Sequence, residues 1–542
     1  MARWSGVTVG SIPRRARDVA AASVEIDARS LAVFRVVVGV LILADLLSRA
    51  RNFSLMYTDD GLVPQELATE MTADNAFSVF YFTSDPTLIA ALFVLHALFA
   101  VQLIVGYKTR LAIVVSFLFV VSLDHQNPLV LSYADVLFRL LLFWAIFLPL
   151  GERWSVDALQ RRRPARAGIA SVASALILSQ MVYMYARNGY NKYQDDSGLW
   201  QSGEATPKIM GLDEMTFLLG DYVREVPAVL LQLGGLTWYY ILILSPLLLV
   251  LRGRPRMLFA AVFMGGHATF ALTVRIGAFA YVALAGLVLF FQAPFWRDAS
   301  TVLSLLGLDG AIERLRDALE RGGLALASAL PALRFDSDRQ LQARQYAYSA
   351  AIGVLVICVV LSTGLGALTG AGVLDERTAT EQRIDDTAAI VGVDQPDWSV
   401  FAPTPRTTDR YYVFPAQTAD GDTFDVYNER ELTYDRPYDE LQKQHDAYRE
   451  RFYMNSVRRA DGEDGDAAAI LADHLCTTWA EEHGVELTHI NMYVVTEDVT
   501  METIDAPDER ERNAYLMHRH TCGDEEPTYI DIPDNPISGG DE

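Results

Sequence analysis

The stretch LAVFRVVVGVLILADLLSRA (31–50) contains only three charged residues, Arg35, Asp45 and Arg49. About 20 apolar residues in a helix cross the roughly 30 Å hydrocarbon core of a bilayer. The stretch therefore predicts a membrane-spanning helix. The basic segment before it leads into the polar sequence AAASVEIDARS (20–30) and not into the apolar core of a signal peptide. We expect this first span to be retained.

Further apolar runs of comparable length follow along the chain. Together they predict about nine spans, near 31–48, 86–106, 111–124, 134–150, 168–187, 226–250, 256–274, 278–295 and 348–372. Basic segments fall on alternate loops, namely RRAR (14–17), KTR (108–110), RRRPAR (161–166) and RGRPR (252–256). The opposite loops are acidic or neutral. The positive-inside rule then predicts a cell-membrane protein with a cytoplasmic N-terminus and an extracellular C-terminal domain.

Charge divides the chain into two parts. The 542 residues carry a net charge of −23, yet residues 374–542 alone carry about −26 and the part before them about +3. The chain has only four lysines among its 45 basic residues. An acidic, lysine-poor surface favours a halophilic host, and the alternative is an arginine-preferring genome with acidity limited to one domain. Basic stretches are short loops, so we predict no nucleic-acid partner.

These patterns predict a polytopic α-helical membrane bundle with a C-terminal α+β extracellular domain. TFDVY (423–427) and THINMYVVTEDVTM (488–501) alternate as strands do, and AAAILADHLCTTWAEEHG (467–484) is typical of an amphipathic helix ending at Gly484. The predicted regions are a cytoplasmic segment (1–30), the membrane domain (31–295), amphipathic cytoplasmic helices (296–347), a last span (348–372), the acidic domain (373–530) and a disordered tail (531–542).

The two cysteines of the acidic domain, Cys476 and Cys522, are candidates for a disulfide, which persists outside the cell. Metal binding is the alternative, since HLC (474–476) and HRHTC (518–522) also supply histidines. The spacings match no established zinc pattern, and we predict no metal site.

Polar residues at membrane depth need partners or a function. We expect Arg35 and Asp45 each to find a partner on another helix. Asp135 and Arg139 have the i,i+4 spacing of an intrahelical ion pair, and we interpret them as structural groups that bridge helices. His267 follows two glycines that allow close approach of another backbone or a ligand. It is a candidate catalytic residue, with a hydrogen-bonded structural group as the alternative.

Lys192 stands in YMYARNGYNKYQDDSGLWQSGEA (183–205), where the fifth predicted span ends. Arginine stays protonated, whereas a partly desolvated lysine can lose its proton and act as a base. A chain that prefers arginine but keeps lysine here favours a catalytic amine. The alternative is a lysine that extends to the membrane interface as an anchor.

Four segments carry a resemblance to a known family. The first span with YTDDGLVP (57–64), NPLVLSYADVLFRLLLFWAIFLPLGERWSVD (127–157), the Lys192 stretch and GHATFALTVRIGAFAYVALA (266–285) resemble the HTTM membrane domain shared with vitamin K-dependent gamma-carboxylase. WSVFAPTPRTTDRYYVFPAQTADGDTFDV (398–426) is similar to the segment after the last span of prokaryotic members. The chain looks like a prokaryotic, haloarchaeal-type member.

The resemblance implies quinol-linked, carboxylase-like base chemistry at the outer membrane interface. It places Lys192 on the catalytic lysine and His267 on a family histidine. His125, on the same face by the predicted topology, is a third candidate. We expect a reduced, menaquinone-like quinone as cofactor, contacted by Tyr183, Asn188, Asn191 and Gly277. The alternative is a non-catalytic membrane scaffold or maturation factor whose extracellular domain binds a protein partner.

Overall fold

The computed structural model describes residues 14–161, 163–332, 338–370, 373, 376–459 and 466–532. Its first helices are α1 (Arg14–Ser23), α2 (Ala28–Arg51), α3 (Phe53–Tyr57), α4 (Gln65–Glu70), α5 (Pro86–Val105), α6 (Thr109–Gln126), α7 (Tyr133–Ala145), α8 (Val156–Leu159) and α9 (Val172–Tyr193). There follow α10 (Leu199–Ser202), α11 (Ala205–Met210), α12 (Gly220–Arg224), α13 (Ala228–Ile243), α14 (Leu247–Val250), α15 (Gly253–Thr273), α16 (Phe279–Val288), α17 (Ala293–Leu305), α18 (Asp309–Ala329), α19 (Asp338–Gly370), α20 (Ala379–Ile390), α21 (Tyr448–Arg459) and α22 (Asp466–His483).

The strands are short in the bundle and longer near the C-terminus. They are β1 (Ile26–Asp27), β2 (Gly168–Ile169), β3 (Thr408–Val413), β4 (Pro415–Thr418), β5 (Thr423–Asp425), β6 (Arg430–Glu431), β7 (Leu487–Asp498) and β8 (Arg512–Thr521). Single 3-10 turns lie at Val79–Phe82, Pro128–Val130, Asp213–Met215, Leu441–Gln444 and Pro507–Glu509. The protein is thus a helical bundle followed by a sheet domain, the name used here for residues 376–459 and 466–532.

Each predicted span falls on a helix or on two consecutive helices. Within the described residues, α2, α5, α6 and residues 342–366 of α19 are long and apolar enough to cross a membrane. The pair α16–α17 makes a fifth if its two helices, bent by 101°, are counted as one span. Helices α9 and α15 are long but less apolar. The described chain therefore has four or five candidate spans, and the count of nine stays a prediction.

Arg35 finds its partners on the backbone of other elements. Its guanidinium donates to the carbonyls of Leu150, Arg153 and Trp154, at 3.2, 3.1 and 2.5 Å, and to Ile104 of α5 at 3.3 Å. The side chain is fully buried. These bonds satisfy a carbonyl at the end of α5 and three carbonyls of the connection between α7 and α8, and so hold neighbouring elements together.

A second buried group joins the bundle to the sheet domain, and we call it the Arg449 cluster. It contains three carboxylates and three guanidiniums: Asp45, Arg49, Asp124, Asp135, Arg139 and Arg449. Arg49 lies 2.6 Å from Asp124 and 2.8 Å from Asp45, and Arg449 of α21 lies 2.9 Å from Asp135. Arg449 also pairs with Asp45. The charges of these six residues balance.

Asp135 and Arg139 do not form the intrahelical pair that their spacing suggests. Asp135 completes a capping box with Ser132 at the start of α7, and its other oxygen faces Arg49 and Arg449. Arg139 lies 3.6 Å from Asp124 of α6. Their interpretation as residues that bridge helices is confirmed, while the expected direct pair is wrong because tertiary partners compete for both charges.

The sheet domain is built on β7. Strand β8 pairs antiparallel with most of one edge of β7, while β3 and β4, separated only by Phe414, pair with successive parts of its other edge. β5 and β6 extend the sheet from β4. The disulfide Cys476–Cys522 joins α22 to the end of β8. Helix α22 ends before Gly484, whose φ of +67° favours glycine, as the sequence predicts.

Some expectations fall on residues that lie outside the described part of the chain. They are the start of the N-terminal segment (1–13), residues 460–465 of the predicted acidic domain and most of the predicted disordered tail (533–542). Helices α17 and α18 occupy the region predicted as amphipathic helices, with α17 beginning a few residues earlier, at Ala293.

Candidate functional site

The last turns of α9 face a loop of the sheet domain, residues 397–401. Asn188 donates its side-chain amide to the carbonyls of Trp398 and Val400, at 2.7 and 3.0 Å. Asn191 donates to the carbonyl of Asp397 at 2.6 Å. These side chains lie on consecutive helical turns and so reach the same loop. The chain thereby joins two regions about two hundred residues apart in sequence.

Lys192 lies beneath this loop and is 2% exposed. Its Nζ donates to the carbonyls of Val400 and Phe401, at 2.8 and 2.9 Å. The same nitrogen lies 3.6 Å from the centre of the Trp200 ring, which is the geometry of a cation–π contact. The indole nitrogen of Trp200 in turn donates to the carbonyl of Phe401 at 3.1 Å.

The Lys192 amine has no carboxylate partner among the described residues. The nearby Asp195 instead accepts hydrogen bonds from Ser197 and Thr404 and from the backbone of Trp200. Lys192 lies beyond the predicted span 168–187. Burial lowers the pKa of its amine well below the ordinary value, against a smaller opposite effect of Asp195. A buried lysine of this kind can release its proton far more easily than an exposed one.

Amide groups hold the start of the same loop. The side chains of Gln180 in α9 and Gln395 donate to each other, at 3.0 and 2.7 Å. The indole of Trp144 donates to Gln180 and that of Trp398 donates to Gln395. This reciprocal amide pair satisfies buried polar atoms without any charge.

The loop itself has an unfavourable backbone conformation. Trp398 and Phe401 have φ values of +51° and +49°, a region that costs a non-glycine residue about 1–2 kcal/mol. Trp398 is fully buried against Tyr133, whose hydroxyl lies 2.6 Å from the Ser399 hydroxyl. The surrounding contacts therefore hold the loop in place over Lys192.

The sequence matches the HTTM domain family over residues 24–296. This range includes α2 to α16, Lys192 and His267. The chain belongs to the HTTM family. No curated protein and no solved structure matches it significantly. The family and the apolar helices together indicate a membrane protein, and the sheet domain lies beyond the part that the HTTM match covers.

In this HTTM protein His267 does not contact Lys192. Its Nε2 lies 2.8 Å from the hydroxyl of Tyr185, and Tyr185 precedes Lys192 by seven residues on the same face of α9, about 10 Å along the axis. Trp238, Phe270 and other aromatic rings surround the imidazole. Its Nδ1 is buried and has no hydrogen-bond partner within the described residues. His267, on α15, thus meets α9 at the level of Tyr185, about two helical turns from Lys192.

The other candidates are dispersed. His125 lies at the end of α6, with its Nδ1 2.9 Å from the carbonyl of Phe77. Gly277, at φ +64°, lies under the ring of Tyr448, where a Cβ atom would meet ring carbons at about 2 Å. Tyr183 presents a side chain that is 42% exposed. Asn188 and Asn191 are engaged with the loop, so only Tyr183 of the four expected quinol contacts is open.

Sequence reasoning missed the residues that enclose Lys192. Trp200 lies in the same quoted stretch, but an aromatic residue eight positions later gives no signal that its ring will meet the amine. Val400 and Phe401 contribute only backbone carbonyls. Because every residue has one, the residue type does not predict this contact. The segment 398–426 stands out in the sequence only by its resemblance to other chains.

Proposed function

We propose that this HTTM protein is a membrane enzyme that uses Lys192 as a base in quinol-linked chemistry similar to that of vitamin K-dependent gamma-carboxylase. The family match over residues 24–296 includes the lysine and supports the assignment. The sheet domain that covers the lysine would contribute to the binding of the second substrate.

The observation that carries this proposal is the redundancy of the Lys192 contacts. The carbonyl of Val400 also accepts from Asn188, and that of Phe401 also accepts from Trp200. The loop therefore keeps a donor at each carbonyl without the lysine. Burying an ammonium group that has no carboxylate is costly, so a purely structural role would be served better by an uncharged side chain. A reactive amine explains why the lysine is present.

The residues around the lysine partly fit a quinol. When bound, a quinol supplies an acidic hydroxyl group and two reducing electrons. The unpartnered Nδ1 of His267 lies toward the lysine's face of α9 and is available to it, whereas the exposed Tyr183 lies nine residues before Lys192 and so on the opposite side of the helix. The Lys192 Nζ would accept a proton, and Trp200 and the loop would exclude water from it.

Access to Lys192 requires displacement of the 397–401 loop. This breaks the hydrogen bonds from Asn188, Asn191 and Lys192 and releases the backbone strain at Trp398 and Phe401. The strain offsets part of the cost of opening.

Quinol oxidation tests the proposal directly. The purified protein, in high salt and detergent, is mixed with chemically reduced menaquinone under air, and quinone formation is followed by absorbance. We expect Lys192→Met and Lys192→Arg both to abolish the protein-dependent rate, since neither side chain provides a neutral amine. A rate unchanged in Lys192→Met would refute the role of the lysine.

The second candidate function is a scaffold or maturation factor whose sheet domain binds a protein partner. The contacts of Lys192 with two carbonyls and an indole ring favour it, since they suit an ammonium group that fastens the loop. In that case Lys192→Arg keeps function. An inactive Lys192→Arg variant with native stability excludes the anchor.

We also propose that the sheet domain lies outside the cell and the N-terminus in the cytoplasm. The Cys476–Cys522 disulfide supports this placement, because disulfides persist in oxidising compartments. The alternate basic loops support it independently.

A further inference from the structure

Three arginines of the sheet domain lie close together without carboxylate partners. They are Arg410 of β3 and Arg458 and Arg459 in the last turn of α21. Within the described part of the chain, none of the three forms an ion pair or a side-chain hydrogen bond. Arg410 and Arg458 are half-buried and Arg459 is exposed. The buried arginines among the described residues, such as Arg35, Arg49 and Arg451, instead pair with carboxylates or donate to carbonyls.

Strand alternation brings them to one place. Tyr411 and Val413 of β3 belong to one small core, whereas Tyr412 belongs to the large core that also contains Tyr453 and Val457 of α21. Arg410 has the same parity as Tyr412 and so lies on the face of β3 that is turned toward this large core. Arg406, just before β3, and Arg451 of α21 both pair with Glu214 and so join α21 to the start of β3. Arg458 and Arg459 lie in the last turn of that helix.

The charges of Arg410, Arg458 and Arg459 act on one another. Burial, followed by the charges of Arg406 and Arg458, lowers the pKa of Arg410 to about 10. Burial, followed by the charge of Arg458, lowers the pKa of Arg459. Glu214, the carboxylate that acts on Arg410, is already shared between Arg406 and Arg451. The local charge is therefore positive and uncompensated by the described residues.

The side chain of Tyr412 adds a neutral hydrogen-bond donor to the three arginines. The hydroxyl of Tyr412 makes no hydrogen bond to the described residues, and burial raises its pKa to about 12, so that it stays protonated. The Nε of Arg458 is buried and also lacks a partner. Buried donors without acceptors are costly in a protein interior, and a ligand with acceptor oxygens would satisfy them.

We propose that Arg410, Arg458 and Arg459, with the hydroxyl of Tyr412, form a binding site for a phosphate-type oxyanion. Three guanidinium groups suit a doubly charged ligand with several acceptor oxygens better than a single carboxylate. The ligand is either free phosphate or the phosphate of a lipid headgroup. The second source is compatible with the position of α21, because Ser456 donates to Leu129, three residues after α6 ends.

Titration calorimetry of the full-length protein in neutral detergent tests the site, with inorganic phosphate added at constant ionic strength. We expect saturable binding. Arg410→Gln and Arg458→Gln should each weaken it about tenfold or more, because each removes one charge-assisted hydrogen bond. Arg383→Gln is the matched control, because Arg383 is an exposed arginine of α20 that forms no ion pair with the described residues. Each variant is first checked for an unchanged melting temperature, and Arg459→Gln replaces any variant that fails.

A second arm separates the two sources of phosphate. Native mass spectrometry with phosphatidic acid measures lipid binding in the same variants. Arginine-dependent binding of phosphatidic acid alone assigns the site to a lipid headgroup, and arginine-dependent binding of free phosphate assigns it to a small anion. Absence of both, or binding that is insensitive to Arg410→Gln and Arg458→Gln, overturns the proposal.

The acidic segment that follows α21 is the competing occupant, since it contains Asp461, Glu463 and Asp464. If phosphate binds only after these three residues are replaced by Asn, Gln and Asn, the arginines hold the protein's own carboxylates. That result also overturns the proposal.

Discussion

Two buried cations join the sheet domain to the bundle, and their surroundings differ. Arg449 enters a cluster in which three arginines meet three aspartates. Lys192 meets two carbonyls and an indole ring, with no carboxylate ion pair among the described residues. Both side chains are buried, at the same boundary of the molecule.

This difference separates a structural charge from a chemical one. A guanidinium surrounded by carboxylates cannot lose its proton, and removing it leaves buried negative charges unpaired. An amine without a carboxylate exchanges its proton more easily, and removing it leaves no unpaired charge. Stability should therefore depend strongly on Arg449 and weakly on Lys192, while activity should depend on Lys192.

The largest effect is expected for Arg449→Met. It leaves Asp45 and Asp135 with one cation fewer and should lower the free energy of unfolding by about 3–5 kcal/mol. Thermal unfolding in detergent measures the shift, with Arg383→Met as the control for loss of an exposed arginine. A shift no larger than that of the control would show that the cluster tolerates an unpaired charge, and the comparison would fail.

Glu214→Gln extends the comparison to the ion pairs with Arg406 and Arg451. The isosteric amide weakens their charge-assisted hydrogen bonds, and the free energy of unfolding should fall by about 2 kcal/mol at neutral pH. Burial favours the neutral acid, but the two arginines hold the pKa of Glu214 well below its ordinary value of 4.5. The carboxylate thus stabilises the fold above pH 4.5, and this contribution is lost as the pH falls toward the folded pKa.

The difference in melting temperature between the parent protein and Glu214→Gln should therefore be constant near neutrality and shrink below pH 4.5. Glu313→Gln, at an exposed position of α18, controls for loss of a glutamate. A difference that stays constant down to pH 3 would contradict the linkage.

The smallest effect on stability is expected for Lys192→Met. Asn188 and Trp200 still donate to the two carbonyls, so the cost should be about 1 kcal/mol or less. The most informative experiment measures both the melting temperature and the rate of quinol oxidation of this variant. Together they separate the contribution of Lys192 to stability from its contribution to activity. A destabilisation as large as that of Arg449→Met would identify Lys192 as an anchor.

Hydropathy was sufficient to place the helices, because membrane thickness fixes the length of an apolar run. It could not give the bend between α16 and α17. The sequence predicts one span at 278–295, yet the helix ends at Val288 and a new one begins at Ala293. Gln292 is extended there, and its amide donates to carbonyls of Ala22 and Glu25. That tertiary contact has no signature in local hydropathy.

The candidate site was predicted in part. Lys192 stood out because its chemistry is rare in this chain, and Arg35 and Asp45 were correctly expected to need partners outside their own helix. The pairing of Asp135 and Arg139 was wrong, because spacing along one helix does not reveal that Arg449 of α21 competes for Asp135. The cover over Lys192 was also hidden, since it consists of backbone carbonyls from the 397–401 loop.

The reciprocal amide pair of Gln180 and Gln395 has a consequence for the conditions under which the protein works. Dissolved ions weaken attraction between exposed charges, and acid neutralises carboxylates. Two amides and two indoles have no charge to screen or titrate. The start of the loop over Lys192 should therefore keep the same attachment in fresh water and in brine, at any pH that the rest of the fold survives.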